Sequence, residues 1–172
     1  VLDFGRYMSL ILLDSGHTHP IAGMQRDWLR QTLADRQDTP HLFAVYHVPA
    51  YPSVRPVNYG VSATIREHWV PLFEQFGLDV AFEHHEHVYK RTHPIRADKI
   101  DSRGVLYLGD GTWGVWPRRP RDDWYLAKTA KKRHFILTMI EGQNRSFVAI
   151  DSEGEVFDRI EQPVSSSSIK RR

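Results

Sequence analysis

Short, nearly continuous apolar runs alternate along the chain with stretches whose apolar residues recur at helical spacing. Residues 6–14, RYMSLILLD, form a run of the first kind and are closed by the turn cluster DSGHTHP, which predicts a buried strand followed by a loop. Residues 22–36, AGMQRDWLRQTLADR, place Met24, Trp28, Leu29 and Leu33 on one face, which predicts an amphipathic helix. PHLFAVYHVP (40–49) reads as a second buried strand stopped by Pro49, and a Pro-rich loop, AYPSVRPVNYG, follows. SATIREHWVPLFEQFG (62–77) reads as a second helix, bent or broken near Pro71 and ended by Gly77. LDVAFE (78–83) is a third strand and GVLYLGDG (104–111) a fourth. Between that strand and residue 134, WPRRPRDDWYLAKTAKKR (116–133) reads as a long basic and aromatic connection. Residues 134–162 hold three strand-like runs separated by EGQN and DSEG, a meander with good turn chemistry.

Strand–helix–strand–helix–strand followed by strands alone predicts an α/β fold, with helices on one face of a sheet and a β-rich C-terminal layer. Residues 1–162 form one domain in this reading, and residues 163–172, with the tail VSSSSIKRR, are expected to be disordered. In open α/β sheets functional groups collect on loops beyond the carboxyl ends of the strands. Here those positions are Asp14 to His19, His47, Glu83 to His87 and Asp110.

Composition narrows the options. A chain of 172 residues has room for one ordinary domain with a real core. Its 23 basic and 21 acidic residues leave a net charge of +2, which argues against nucleic-acid binding through bulk charge. With no cysteine, disulfide scaffolds, thiolate zinc sites and Cys nucleophiles are excluded. No apolar run approaches the ~20 residues of a membrane span. The stretch VLDFGRYMSL begins without an initiator Met or a charged-then-apolar leader, as expected of a processed product or a part of something longer.

The chemistry concentrates in LDVAFEHHEHVYKRTHPI, residues 78–95. On an extended chain His85 and His87 point to one face with Cα atoms about 6.5–7 Å apart. Such a pair reaches one metal, or two metals about 3.5–4 Å apart; the competing reading is a solvated turn. His47, ending another strand, adds a second histidine-bearing loop at the same edge.

These residues resemble the calcineurin-like metallophosphoesterases, and within them the purple acid phosphatase-like branch. That family carries a lone strand-end histidine, often followed by proline, and then, after a helix and a strand, Gly-His-x-His, which in the branch often extends to GHxHxYxR. YHVP supplies His47, and HHEHVYKR supplies His84, His85, Glu86, His87, Tyr89 and Arg91. SLILLDSG, QRDWLRQTL and GVLYLGDGTWG resemble the flanking segments, so the likeness spans roughly residues 4–150.

The resemblance implies the C-terminal half of an α/β/β/α sandwich with a mixed sheet. It implies a hydrolase of phosphomonoesters or phosphodiesters with two divalent or trivalent metal ions of the Fe, Zn or Mn type. His47 and His85 would bind one ion and His87 the other. Glu83, His84 and Glu86 are candidates to orient these imidazoles. An extracytoplasmic location is favoured by the resemblance alone.

There are three departures. The family's glycine is His84 here. The loop after His47 has no histidine to contact phosphate or protonate a leaving group, so Arg55, Asn58 and Tyr59 are the candidates for that part. The family's aspartate motifs from its first half are absent, and Asp110 in GDGT comes in the wrong order to replace them, being read instead as a turn residue near the substrate. The expected partner is therefore a missing N-terminal half, from the same precursor or a separate chain, without which the isolated chain is expected to be inactive or nearly so.

His17 is a candidate catalytic group, with Asp14 and Ser15 beside it, and the alternative is a Ser/Gly turn. Trp113, Trp116 and Trp124 with neighbouring arginines form a candidate platform for an anionic group or a nucleobase; the alternative is a solvated charged face. Two other functions stay open: a non-catalytic binding or assembly module that keeps the fold, and a mononuclear zinc hydrolase on His47, His85 and His87 with Glu83 or Glu86 as base.

Overall fold

The computed structural model describes residues 1–163; the tail expected to be disordered lies outside them except for Pro163. In chain order the elements are β1 (Leu2–Phe4), β2 (Met8–Leu12), α1 (Met24–Ala34), β3 (His41–Tyr46), α2 (Gly60–His68), α3 (Val70–Phe76) and β4 (Val80–Glu83). Then come strands alone: β5 (Tyr89–Thr92), β6 (Ile95–Arg96), β7 (Lys99–Ile100), β8 (Leu106–Asp110), β9 (Leu126–Ala130), β10 (His134–Glu141), β11 (Asn144–Asp151) and β12 (Val156–Pro163).

The main sheet has seven strands in the order β1-β2-β3-β4-β8-β5-β9. Its centre, β2-β3-β4-β8, is parallel, and β1, β5 and β9 join antiparallel. The sheet is therefore mixed. Parallel pairing brings the carboxyl ends of β2, β3, β4 and β8 to one edge, where the histidine-bearing loops begin.

Alternation along the strands sorts side chains into two cores. Leu42, Ala44, Tyr46, Ala81 and Tyr107 face the helices and pack with Leu29, Leu33, Ile65, Trp69 and Phe73. Phe43, Val80, Leu106 and Leu108 face the other way, against Phe147, Ile136, Ile140 and Ile160 of the separate β10-β11-β12 sheet. Helices thus cover one face and a β layer the other.

The second helical stretch is two helices, as Pro71 predicts. α3 starts with Pro71 in its first turn and ends at Gly77 in the left-handed region, φ 73°, where glycine carries no Cβ penalty. In α1 only part of the predicted apolar face is covered: Leu29 and Leu33 are fully buried, while Met24 and Trp28 are 86% and 43% exposed.

Two segments not marked as strands in the sequence are strands. YKRT forms β5, between β8 and β9, and LAKTA forms β9 within the stretch expected to be a basic connection. The charges of β5 hid it. Lys90, buried, pairs with Glu83, and Arg91 reaches Asp158 of β12 at 2.7 Å. Tyr89 donates to the same carboxylate at 2.6 Å, fastening the β layer to the sheet.

Candidate metal and phosphoester site

The site lies at the carboxyl edge of the parallel strands. His47 follows β3, and His84 and His85 follow β4. The backbone amides of His84 and His85 both donate to the His47 carbonyl, at 3.0 and 2.9 Å, so the two loops are one unit. Their side chains converge as well: His85 Nδ1 stands 2.8 Å from His47 Nε2. His17, beyond β2, places its ring edge-on to that of His47 with centroids 5.1 Å apart. Ser15 Oγ accepts from the Val48 amide at 2.9 Å, linking this loop to the one after β3.

Both converging imidazoles are held neutral. Burial pushes His85 down to about 4, with the charge of Arg55 and then the electrostatic interaction with His47 acting in the same direction. Burial also lowers His47, followed by the charges of His17, His84, His87 and Arg55. Desolvation and cationic neighbours both disfavour the imidazolium. Neutral imidazole is the form that binds a metal.

The residues present fit part of a metal site. Two nitrogens on one tetrahedral ion at about 2.0–2.1 Å stand about 3.3–3.4 Å apart, so the His47 and His85 rings, 2.8 Å apart as a hydrogen-bonded pair, have to part slightly to share one. Among the described residues, however, no group of three or more His, Cys, Asp or Glu side chains gathers in a metal-holding arrangement. His87 is half-buried near the pair but is not drawn into a triad. An aspartate to offset a second ion is also missing from the gathering.

The glutamates expected to orient the imidazoles do other work. Glu83, 1% exposed, accepts from Tyr46 Oη and the Ala50 amide, each at 2.6 Å, and pairs with Lys90. Glu86 accepts from the backbone amides of Ser53, Val54 (2.6 Å) and Arg55 (2.7 Å), and from Ser53 Oγ at 3.1 Å. Neither carboxylate is free to act as the general base of a mononuclear zinc hydrolase. Both hold the Pro-rich loop against the histidine loop.

His84, which stands at the family's glycine position, supplies an extra contact. Its backbone is not in the left-handed region; among the non-glycine residues described only Ala97 and Asp98 are. The close approach occurs across from it, where a Cβ on Gly111 would lie 1.4 Å from the His84 carbonyl oxygen. His84 Nδ1 pairs with Asp110, so Asp110 is committed to the histidine loop.

The remaining candidates border this edge. Arg55 has its guanidinium 3.5 Å from Glu86 and 5.2 Å from the Tyr59 ring centroid, with Nη1 buried and without a hydrogen-bond partner. Asn58 and Tyr59 are exposed just before α2. Trp113 is 79% exposed beyond β8. Sequence reasoning missed Lys90, Ser53 and Gly111. Of these only Gly111, in a Gly-Asp-Gly at a strand end, left a signal.

No family model matches the chain. An uncharacterised protein of Mycobacterium tuberculosis (strain ATCC 25618 / H37Rv) is 40% identical over 113 residues, 54% of this chain and 21% of its own length. Purple acid phosphatase 21 of Arabidopsis thaliana is 37% identical over 91 residues, 51% of this chain and 21% of its own. Its characterised relatives are purple acid phosphatases. The chain spans about a fifth of the length of these relatives. Among solved structures, the purple acid phosphatase PPD1 from yellow lupin seeds superposes with a TM-score of 0.79 at 18% identity, covering 98% of this chain and 33% of that one. The purple acid phosphatase fold, with its mixed sheet and β-rich layer, is thus the fold of this chain. GAP50, the anchor in the inner membrane complex of Plasmodium, gives 0.75 at 12% identity, covering 92% of this chain and 50% of that one. No helix among the described residues is long and apolar enough to cross a membrane.

Proposed function

We propose that this chain is the histidine-bearing part of a phosphoester hydrolase domain of the purple acid phosphatase type. The observation that carries the reading is the His47–His85 pair, two neutral imidazoles converging at the carboxyl ends of adjacent parallel strands. In this reading they hold one metal ion and His87 serves a second, with His17, Arg55, Asn58, Tyr59, Asp110 and Trp113 around the phosphoester. The ions would supply a nucleophilic water at neutral pH and charge for the phosphoryl oxygens. The chain's own contribution is to fix two imidazoles in the neutral form and to keep a cationic Arg55 beside them. An extracytoplasmic location goes with this reading and rests on the resemblance.

A companion segment carrying carboxylates completes the site, and the isolated chain is inactive or nearly so. Two uncovered surfaces support this. Phe135, Leu137 and Met139, on the side of β10 away from the core, are 42%, 42% and 38% exposed, where the expected sandwich has a further layer. Leu2, Phe4 and Leu12 are each more than half exposed at the β1-β2 edge. Apolar surface of this kind marks an interface.

Competition titration of the chain against a chromophoric zinc chelator tests the ligand assignment. Tight binding that His47→Ala and His85→Ala each weaken by at least tenfold supports it, and binding insensitive to both substitutions overturns it. The second reading is a non-catalytic assembly module. It is favoured by the absence of a third ligand among the described residues and by the anchor role that GAP50 bears on the same fold. No metal binding at all is its expected result.

A further inference from the structure

Strand register places Tyr46, Glu83, Gly109 and Lys90 in one row across β3, β4, β8 and β5. Side chains directly opposite one another share a face of the sheet, and the glycine leaves a gap in the middle of the row. A Cβ on Gly109 would lie 2.6 Å from Lys90 Cγ. The Lys90 stem therefore crosses β8 over the glycine, and its ammonium donates to Glu83 on the strand beyond. Glu83 in turn accepts from Tyr46 Oη and from the Ala50 amide, each at 2.6 Å. Lys90 Nζ also donates to the Tyr51 carbonyl, in the loop after His47.

Every proposed metal ligand leaves its strand beside this row. His47 follows Tyr46 directly, His85 lies two residues after Glu83, and His87 lies three residues before Lys90. The side chains of Lys90 and Glu83 are 2% and 0% exposed. Taking two charges out of water is costly, and a well-packed apolar pair of the same volume often stabilises as much or more. What the ion pair adds is direction, since its charge-assisted hydrogen bonds hold three strand ends at a set separation. A second buried pair, Arg145 with Asp79 at 2.5 Å, lies at the opposite end of β4. There the other hydrogen-bond partners of Arg145 are Pro40, His41 and Gln162.

We infer that Lys90 is a positioning residue of the metal site. Through Glu83 and Tyr46 it sets the spacing of the strand ends from which His47, His85 and His87 project. The role presupposes the metal ions of the phosphoester reading above and adds to it a residue that touches neither metal nor substrate.

The test is competition titration of the chain and its variants against a chromophoric zinc chelator, with urea unfolding run on the same samples. Lys90→Met is expected to weaken zinc binding about tenfold, as loss of a group that orients metal-binding imidazoles does. Arg145→Met strands the other buried carboxylate, lowers the urea midpoint comparably and leaves zinc affinity unchanged. The Glu83→Gln/Lys90→Met double variant buries no charge, so it regains most of the lost midpoint while zinc binding stays weak. In the metal-free chain, amide exchange at His84 and His85, which donate to the His47 carbonyl, rises in Lys90→Met and not in Arg145→Met. Zinc affinity that is unchanged in Lys90→Met, falls equally in Arg145→Met, or returns with stability in the double variant overturns the positioning role. Each of these leaves the phosphoester reading standing. An unmodified chain that binds no zinc overturns both.

Discussion

His85 is joined to His47 twice: its amide donates to the His47 carbonyl at 2.9 Å, and its Nδ1 stands 2.8 Å from His47 Nε2. The backbone bond comes from the parallel register of β3 and β4, which pairs Tyr46 with Glu83 and brings the next residues of both strands side by side. Side-chain convergence is thus built on the sheet. Two nitrogen lone pairs facing each other repel, so either a proton on one ring or a cation between them has to hold the pair.

Histidine titration followed by NMR reports this arrangement. His85 is expected to titrate near 4 in the metal-free chain, against the ordinary 6.5. The folded value lies below the unfolded one, so this contribution to stability is present above about pH 6.5. It is lost as pH falls from there through 4. A His85 titration at or above 6.5 would show that the imidazole is not desolvated.

Glu86→Ala removes the acceptor of three backbone amides, those of Ser53, Val54 and Arg55. Buried donors left unpaired cost about 1–3 kcal/mol each before the loop relaxes. A loss of about 3 kcal/mol is expected in urea unfolding. Amide hydrogen exchange at residues 53–55 rises with it, and zinc affinity drops only as far as Arg55 and the histidine loop move. Unchanged exchange at these amides would contradict the assignment.

Lys90→Met leaves the Glu83 carboxylate buried without its cation. The expected destabilisation is about 3–5 kcal/mol. It is read as a fall in the urea midpoint without a change in slope, and a loss below 1 kcal/mol would place the pair in contact with water.

Gly111→Ala puts a Cβ 1.4 Å from the His84 carbonyl oxygen, a clash with backbone that only a shift of the loop relieves. Overpacking of this kind costs about 1–3 kcal/mol. The distinguishing result is a fall in metal affinity greater than that of Gly114→Ala, whose Cβ would meet nothing within 4 Å and whose cost is confined to its left-handed backbone.

Much of the fold was written locally. Apolar runs and helical spacing placed β2, β3, β4, β8 and the helices, and EGQN and DSEG marked the turns of the β layer. Strand-end histidines at 47 and 85 were legible because an apolar run that stops in polar residues marks a strand's end wherever its neighbours lie. The charged strand β5 was not legible. Lys90 and Arg91 read as surface until Glu83 and Asp158, on other strands, supply their counter-charges.

The roles of the two glutamates were equally hidden, because their amide partners lie 31 to 33 residues away. By itself the sequence determined which residue types stand at the strand ends and hence the chemistry available there. Only the tertiary structure decided which of those side chains meet. A carboxylate or imidazole is fixed by partners remote in the chain, and their distance from it is set by strand order and register, which no local pattern encodes.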